Sequence, residues 1–204
     1  MNKAENTKQQ ARSTQSQLAV IESVVALIAE KGFSNATTAN IAKNAGVSWG
    51  VLQYQFGGKD QIFAAVLQSS LHNLMGALRV ATVPIDLPLE QKLITAIDAM
   101  WIYYSAPTYR ASTEILLNYS HKSEDFLKIA RHSNAALTKF ISAILQQSGL
   151  QLPRKQAQSI AEIMLAALRG FALANATFPQ RRWHFKNERD TLAKFIANSA
   201  QHFG

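Results

Sequence analysis

The stretch Thr37-Thr38-Ala39-Asn40-Ile41-Ala42-Lys43-Asn44-Ala45-Gly46-Val47-Ser48-Trp49-Gly50-Val51-Leu52 decides how this 204-residue chain folds. Two short helical segments, about 39–45 and 49–55, meet at Gly46. Helices crossing this tightly need a small residue on the inner face of the first, which Ala42 supplies. They also need a residue tolerant of positive φ at the turn, where Gly46 stands. Ile41, Ala45, Val47 and Leu52 supply the apolar contacts that fix the crossing. Thr37 or Thr38 and Ser48 stand where N-caps belong. The whole is a helix-turn-helix at about 37–56.

Outward from it, Leu18, Ile21, Val25 and Ile28 recur at helical spacing, and Lys31-Gly32 closes that helix before Phe33, expected as a buried anchor. Gly57-Gly58 breaks the chain, and Lys59 or Asp60 opens a long helix to about Leu78. Residues 1–13 read as a flexible basic arm, and Val83-Pro84-Ile85-Asp86-Leu87-Pro88 as a linker. Beyond it, helices are expected at about 89–105, 108–119, 123–148, 154–177 and 187–202, punctuated by Pro107, Ser148-Gly149, Pro153 and Pro179. The fold class is therefore all-α with about nine helices in total. A three-helix helix-turn-helix domain (14–75) is expected to precede a larger helical domain (76–204).

Composition narrows the function. Apolar residues make up 48% and charged residues 17%, enough for a packed core. No cysteine is present, which excludes disulfides and thiolate metal sites and suits a reducing cytoplasm. The start is polar, without the apolar core of a secretory signal. The most apolar run, Ile163 to Phe178, is interrupted by Arg169 and Asn175 and is too short to span a bilayer; a soluble protein is expected, with no membrane partner. The net charge is +8, and between Glu30 and Asp60 no acid occurs, only Lys31, Lys43 and Lys59. A surface that approaches phosphates has that character.

Catalytic and metal chemistry find no support. The five histidines (72, 121, 132, 184 and 202) lack ligand spacing, no HExxH or GxSxG pattern occurs, and Glu124-Asp125 reads as a solvated helix start. Gly57-Gly58-Lys59-Asp60 lacks the earlier glycine of a phosphate-binding loop and follows a helix. The expectation is no enzyme, no cofactor and no metal. The alternative is an all-helical small-molecule-binding protein or enzyme with a structural helix-turn-helix.

Extended on both sides, the pattern resembles the tetracycline-repressor (TetR) family. The matching residues are Ile28-Ala29-Glu30-Lys31-Gly32-Phe33, Thr37-Thr38, Ile41-Ala42, Ala45-Gly46-Val47-Ser48, Gly50, Leu52, Phe56 and Lys59-Asp60. Gln53 and Gln55 depart from it, standing where the family has Tyr and His. The resemblance implies that Trp49, Gly50, Val51 and Tyr54 face base edges of double-stranded DNA while Thr38, Ser48, Gln53 and Lys59 reach phosphates, with Gln55 a lesser contact. It also implies a ligand-responsive repressor that binds a palindromic operator as a homodimer and is released by a small-molecule effector.

In the larger domain, Leu93, Ile97, Met100, Trp101 and Tyr104 share a helix face that is ordinary core or the wall of an effector cavity. Candidate ligand contacts are Trp101, Tyr104, Glu114, Asn118, His121 and Arg169. The helix at 154–177 is apolar nearly all round, through Ile160, Met164, Ala167, Phe171 and Ala174 on one side and Ala161, Leu165, Leu168 and Ala172 on the other. Such a helix needs cover on both sides. With the stripe Leu192, Phe195, Ile196 and Phe203 it suits the four-helix dimer interface known in this family.

Overall fold

The computed structural model describes residues 3–80, 87–147, 153–178 and 185–201. Among these the chain forms nine α-helices, a single 3₁₀ turn at Phe33–Asn35 and no strand. The helices are α1 (Lys3–Lys31), α2 (Thr38–Ala45), α3 (Trp49–Phe56), α4 (Lys59–Val80), α5 (Leu89–Tyr104), α6 (Pro107–Tyr119), α7 (Glu124–Gln147), α8 (Arg154–Thr177) and α9 (Phe185–Gln201). The linker residues 83–86, Ser148-Gly149, Pro179 and Phe203 lie outside the described residues.

Two compact units emerge, one of Met1–Ser70 with Pro107–His132, the other of Leu71–Ala106 with Ser133–Gly204. The division falls inside α4 and α7, and it differs from the sequence-based boundary at 75/76 because α6 packs on α1. Ala111 and Ile115 of α6 are fully buried with the α1 residues Val20, Val24 and Ile28, and Phe126 of α7 joins them. Residues 3–13, expected as a flexible arm, are helical and continue α1. Ala4, Lys8, Gln9, Gln10, Ala11 and Arg12 are all good helix formers, and the packed turns after Ser16 supply the nucleus that an isolated segment lacks.

The buried stripe of α1 also shifts from the expected one. Val20, Val24, Leu27 and Ile28 are buried, Ile21 and Val25 half-buried, and Leu18 exposed. Ser23, a polar residue on that stripe, is buried because its hydroxyl donates to the Ile41 carbonyl of α2 at 3.0 Å. Phe33 is half-buried, its ring centroid 5.6 Å from that of Phe63.

In the second unit α5 packs against α8 and α9. Leu93, Ile97, Met100 and Tyr104 of α5 are buried, as are Ala161, Met164, Leu165 and Leu168 of α8 and Ala193, Ile196 and Ala197 of α9. The Arg189 guanidinium bridges Asp98 and Asp190, each at 2.7 Å, tying α9 to α5. Helix α8, at 24 residues, is long and apolar enough to cross a membrane by length and composition. Its length exceeds the apolar run read from sequence because the helix starts at Arg154, and the buried stripe from Ala157 to Ala172 is spent on the core.

Candidate nucleic-acid interface

The crossing of α2 and α3 forms for the reasons its residues suggest. Thr37 caps α2, its Oγ1 accepting from the Asn40 N–H at 3.2 Å. Gly46 then adopts φ 66°, ψ 27°, the left-handed region. The Gly46 N–H bonds back to the Lys43 carbonyl at 3.3 Å and the Val47 N–H to the Ala42 carbonyl at 3.1 Å, the paired closure of a Schellman motif. Ala42 is buried at the crossing and Leu52 of α3 reaches the same core.

Ser48 caps α3 by accepting from the Val51 N–H at 3.2 Å. Its hydroxyl proton remains able to donate outward, so capping and phosphate contact are compatible in one side chain. With Leu52 turned inward, Trp49 (61% exposed), Val51 (39%) and Tyr54 (91%) face water. Gly50 is exposed between them, and a Cβ added there would meet only Ser48 Oγ at 3.9 Å. Eight residues therefore carry three large exposed apolar or aromatic side chains and no charge.

The remaining candidate DNA contacts are engaged locally. Thr38 is half-buried at the start of α2. Gln53 Nε2 donates to the Gly57 carbonyl, closing the end of α3, and Gln55 Nε2 donates to Ser16 Oγ of α1. Lys59, expected at a phosphate, is half-buried at the start of α4. Its ammonium lies 5.7, 5.1 and 5.9 Å from the ring centroids of Phe33, Phe63 and Tyr119. Burial, and then the nearby Lys122 charge, lower its pKa from the usual lysine value. Cation–π attraction to three rings holds the side chain inward.

Next to it, Asp60 is clasped by two hydroxyls from distant sequence. Tyr119 donates to Asp60 Oδ1, and Ser123 Oγ donates to Oδ2 at 2.5 Å. The Ser123 and Tyr119 bonds hold the Asp60 carboxyl below the usual carboxylate range. Burial, reinforced by the bond to Asp60, pushes the Tyr119 phenol up to about 12. The clasp fixes the first turn of α4 to the α6–α7 corner. Periodicity gave no sign of it, since its partners lie 59 and 63 residues apart.

The six candidate ligand residues divide between the units. In the second unit Trp101 stacks on Phe185 with centroids 3.9 Å apart, Tyr104 is buried, and Arg169 Nη2 donates to Asn134 Oδ1 at 2.7 Å. In the first, Glu114 pairs with Arg110 at 3.4 Å, Asn118 donates to the Glu114 carbonyl at 2.8 Å, and His121 is exposed. None of the six lines the open groove of about 520 Å³ between α8 and α9, whose walls are Ile163, Phe171, Asn187, Glu188, Thr191, Leu192 and Phe195. No group of three or more metal-ligating side chains occurs among the described residues.

An all-α chain with this helix-turn-helix is a DNA-binding regulator in class, and the comparisons agree. Residues 20–66 match the family model for bacterial regulatory proteins of the tetR family. The HTH-type transcriptional regulator BetI of Cronobacter sakazakii is 22% identical over 178 residues, 87% of each chain. BetI of Brucella abortus is 29% identical over 162 residues, 77% of this chain and 78% of the relative. The crystal structure of a transcriptional regulator from Rhodococcus sp. Rha1 superposes with a TM-score of 0.71 at 22% identity, covering 90% of this chain and 96% of that one. Residues 20–66 therefore match the N-terminal domain of the tetR family of bacterial regulatory proteins, and the chain as a whole is similar to transcriptional regulators.

Proposed function

We propose that the protein is a cytoplasmic repressor that binds a palindromic operator as a homodimer and leaves it when a small-molecule effector binds. The observation that carries the DNA half is α3, which turns Trp49, Val51 and Tyr54 to water inside a stretch free of carboxylates. Trp49 and Val51 suit thymine methyls, and the Tyr54 hydroxyl supplies a hydrogen bond. With no Arg or Lys on α3, readout rests on apolar contacts and DNA shape, and Arg–guanine pairing plays no part in it. Ser48 and Thr38 serve the phosphates. Gln53 and Gln55 brace α3 from behind, and Lys59 acts as a post inside the unit.

The dimer half rests on α8 and α9. Ile163, Leu173 and Phe195 are 51%, 62% and 61% exposed, and Ala166 and Gly170 on α8 are exposed with them. Small residues beside large ones permit close approach of a second copy. The effector site lies in the second unit, with Trp101, Tyr104 and Arg169 its nearest candidate contacts, and no catalysis is involved. Effector binding favours a conformation with the reading heads wrongly spaced, shifting the population off DNA.

Selection from random duplexes tests the reading. The expected product is an inverted repeat with thymine-rich contacted positions, bound with an affinity that falls steeply with salt. Recovery of no preferred sequence would leave the motif as a purely structural element of a helical binding protein.

A further inference from the structure

Helix α1 does not stop where the core stops needing it. From residue 7 to residue 15 every residue but Ser13 is exposed, so more than two turns run past the packed part with apolar burial on neither side. A helix polar all round usually relies on internal ion pairs, yet from Asn6 to Ile21 there is no carboxylate. Lys8 and Arg12 instead stand four residues apart with the same sign, an arrangement that mildly destabilises a free helix. A polyanion relieves that repulsion.

The direction in which these cations project is set by a contact already described. Ser16 Oγ receives the Gln55 side chain, so this edge of α1 abuts the C-terminal turn of α3, next to fully exposed Tyr54. Arg12 and Lys8 precede Ser16 by four and eight residues. They lie about 6 and 12 Å further along the axis, rotated from Ser16 by about 40° and 80° and so within a quarter turn of it. The edge that touches α3 thus runs on as an exposed edge that carries both cations.

We propose that Lys8 and Arg12 form a second DNA contact, a helical rail that binds the phosphate backbone flanking the bases read by α3. The inference rests on the regulator reading above and extends its interface. The rail contributes affinity without sequence preference, because phosphates carry no base information.

The test compares full-length wild type, K8Q/R12Q, and R131Q/K139Q, which removes the same charge from exposed positions on α7. Each is titrated with a selected operator duplex across a salt series. The rail predicts that the slope of log affinity against log salt falls by about 1.8 per protomer in K8Q/R12Q, at about 0.9 per lost contact. Low-salt affinity should drop at least tenfold while the preferred sequence stays the same. R131Q/K139Q should keep the wild-type slope. An unchanged slope in K8Q/R12Q, or an equal fall in R131Q/K139Q, overturns the rail while leaving the regulator reading intact. Absence of any site-specific binding by wild type overturns the reading itself.

Discussion

Helices α3 and α8 both hold large apolar side chains in water, and their surroundings differ in charge. Around Trp49, Val51 and Tyr54 the chain carries no carboxylate from Lys31 to Lys59. Around Ile163 and Phe195 the charges are mixed, with Glu162 and Lys194 adjacent in sequence and Glu188 in the groove wall. Exposed apolar surface of either kind calls for a partner. The charge pattern then separates them: the carboxylate-free surface suits a polyanion, and the neutral mixture suits a protein surface of its own kind.

The comparison breaks first inside α3. Leu52→Ala removes a buried side chain and should cost about 2–5 kcal/mol in denaturant unfolding, whereas Tyr54→Ala should leave stability within about 0.5 kcal/mol. Equal effects would mean that Tyr54 is not on a free face. Next, Phe195→Asp should weaken dimerisation by on the order of a hundredfold, about 2.7 kcal/mol, as read by sedimentation. The same charge at Trp49 should leave the oligomer untouched.

Asp60→Asn should lower stability by about 1–3 kcal/mol, and a double-mutant cycle with Tyr119→Phe should show coupling. The clasp also has a defined pH window. The lowered pKa of Asp60 means its stabilisation is present above the unfolded carboxyl value and lost as pH falls through the lower folded one. The raised pKa of Tyr119 means its share is present below the unfolded phenol value and lost as pH rises toward about 12. A pH–stability profile of Asp60→Asn that keeps the wild-type acid limb would remove the clasp as its source. Trp49→Ala should cost about tenfold in operator affinity, roughly 1.4 kcal/mol, with unfolding unchanged. Of similar size, Gly46→Ala should cost about 1–2 kcal/mol of stability through its positive φ alone, since a Cβ there meets nothing within 4 Å. Because only the turn is strained, most of the operator affinity should survive at low temperature.

The helix-turn-helix was legible because its rules are local. Thr37, Gly46 and Ser48 each act within five residues, and the structure shows their caps and turn as those rules require. The helices were legible for the same reason. What escaped is what depends on partners far along the chain. The aromatic trio around Lys59 joins residues 33, 63 and 119, so a lysine that looks free in sequence is enclosed in space. The polar start of α1 was read as flexible because no apolar stripe runs through it, whereas helix propensity and a packed neighbour extend the helix through Lys8 and Arg12. Arg169 and Asn118 likewise bond to Asn134 and to the Glu114 carbonyl, and the 35 residues between Asn134 and Arg169 hide the first of these pairs from any local pattern.

The first unit is sewn shut where the chain leaves it and returns. Ser112 Oγ donates to Ser70 Oγ at 3.0 Å, both buried, and residues 71–106 between them belong to the second unit. For the reading head, that excursion is a closed loop anchored at both ends. Doubling such a loop costs only about 0.6 kcal/mol in closure entropy. Insertions or deletions within residues 71–106 should therefore leave the packing of the first unit intact.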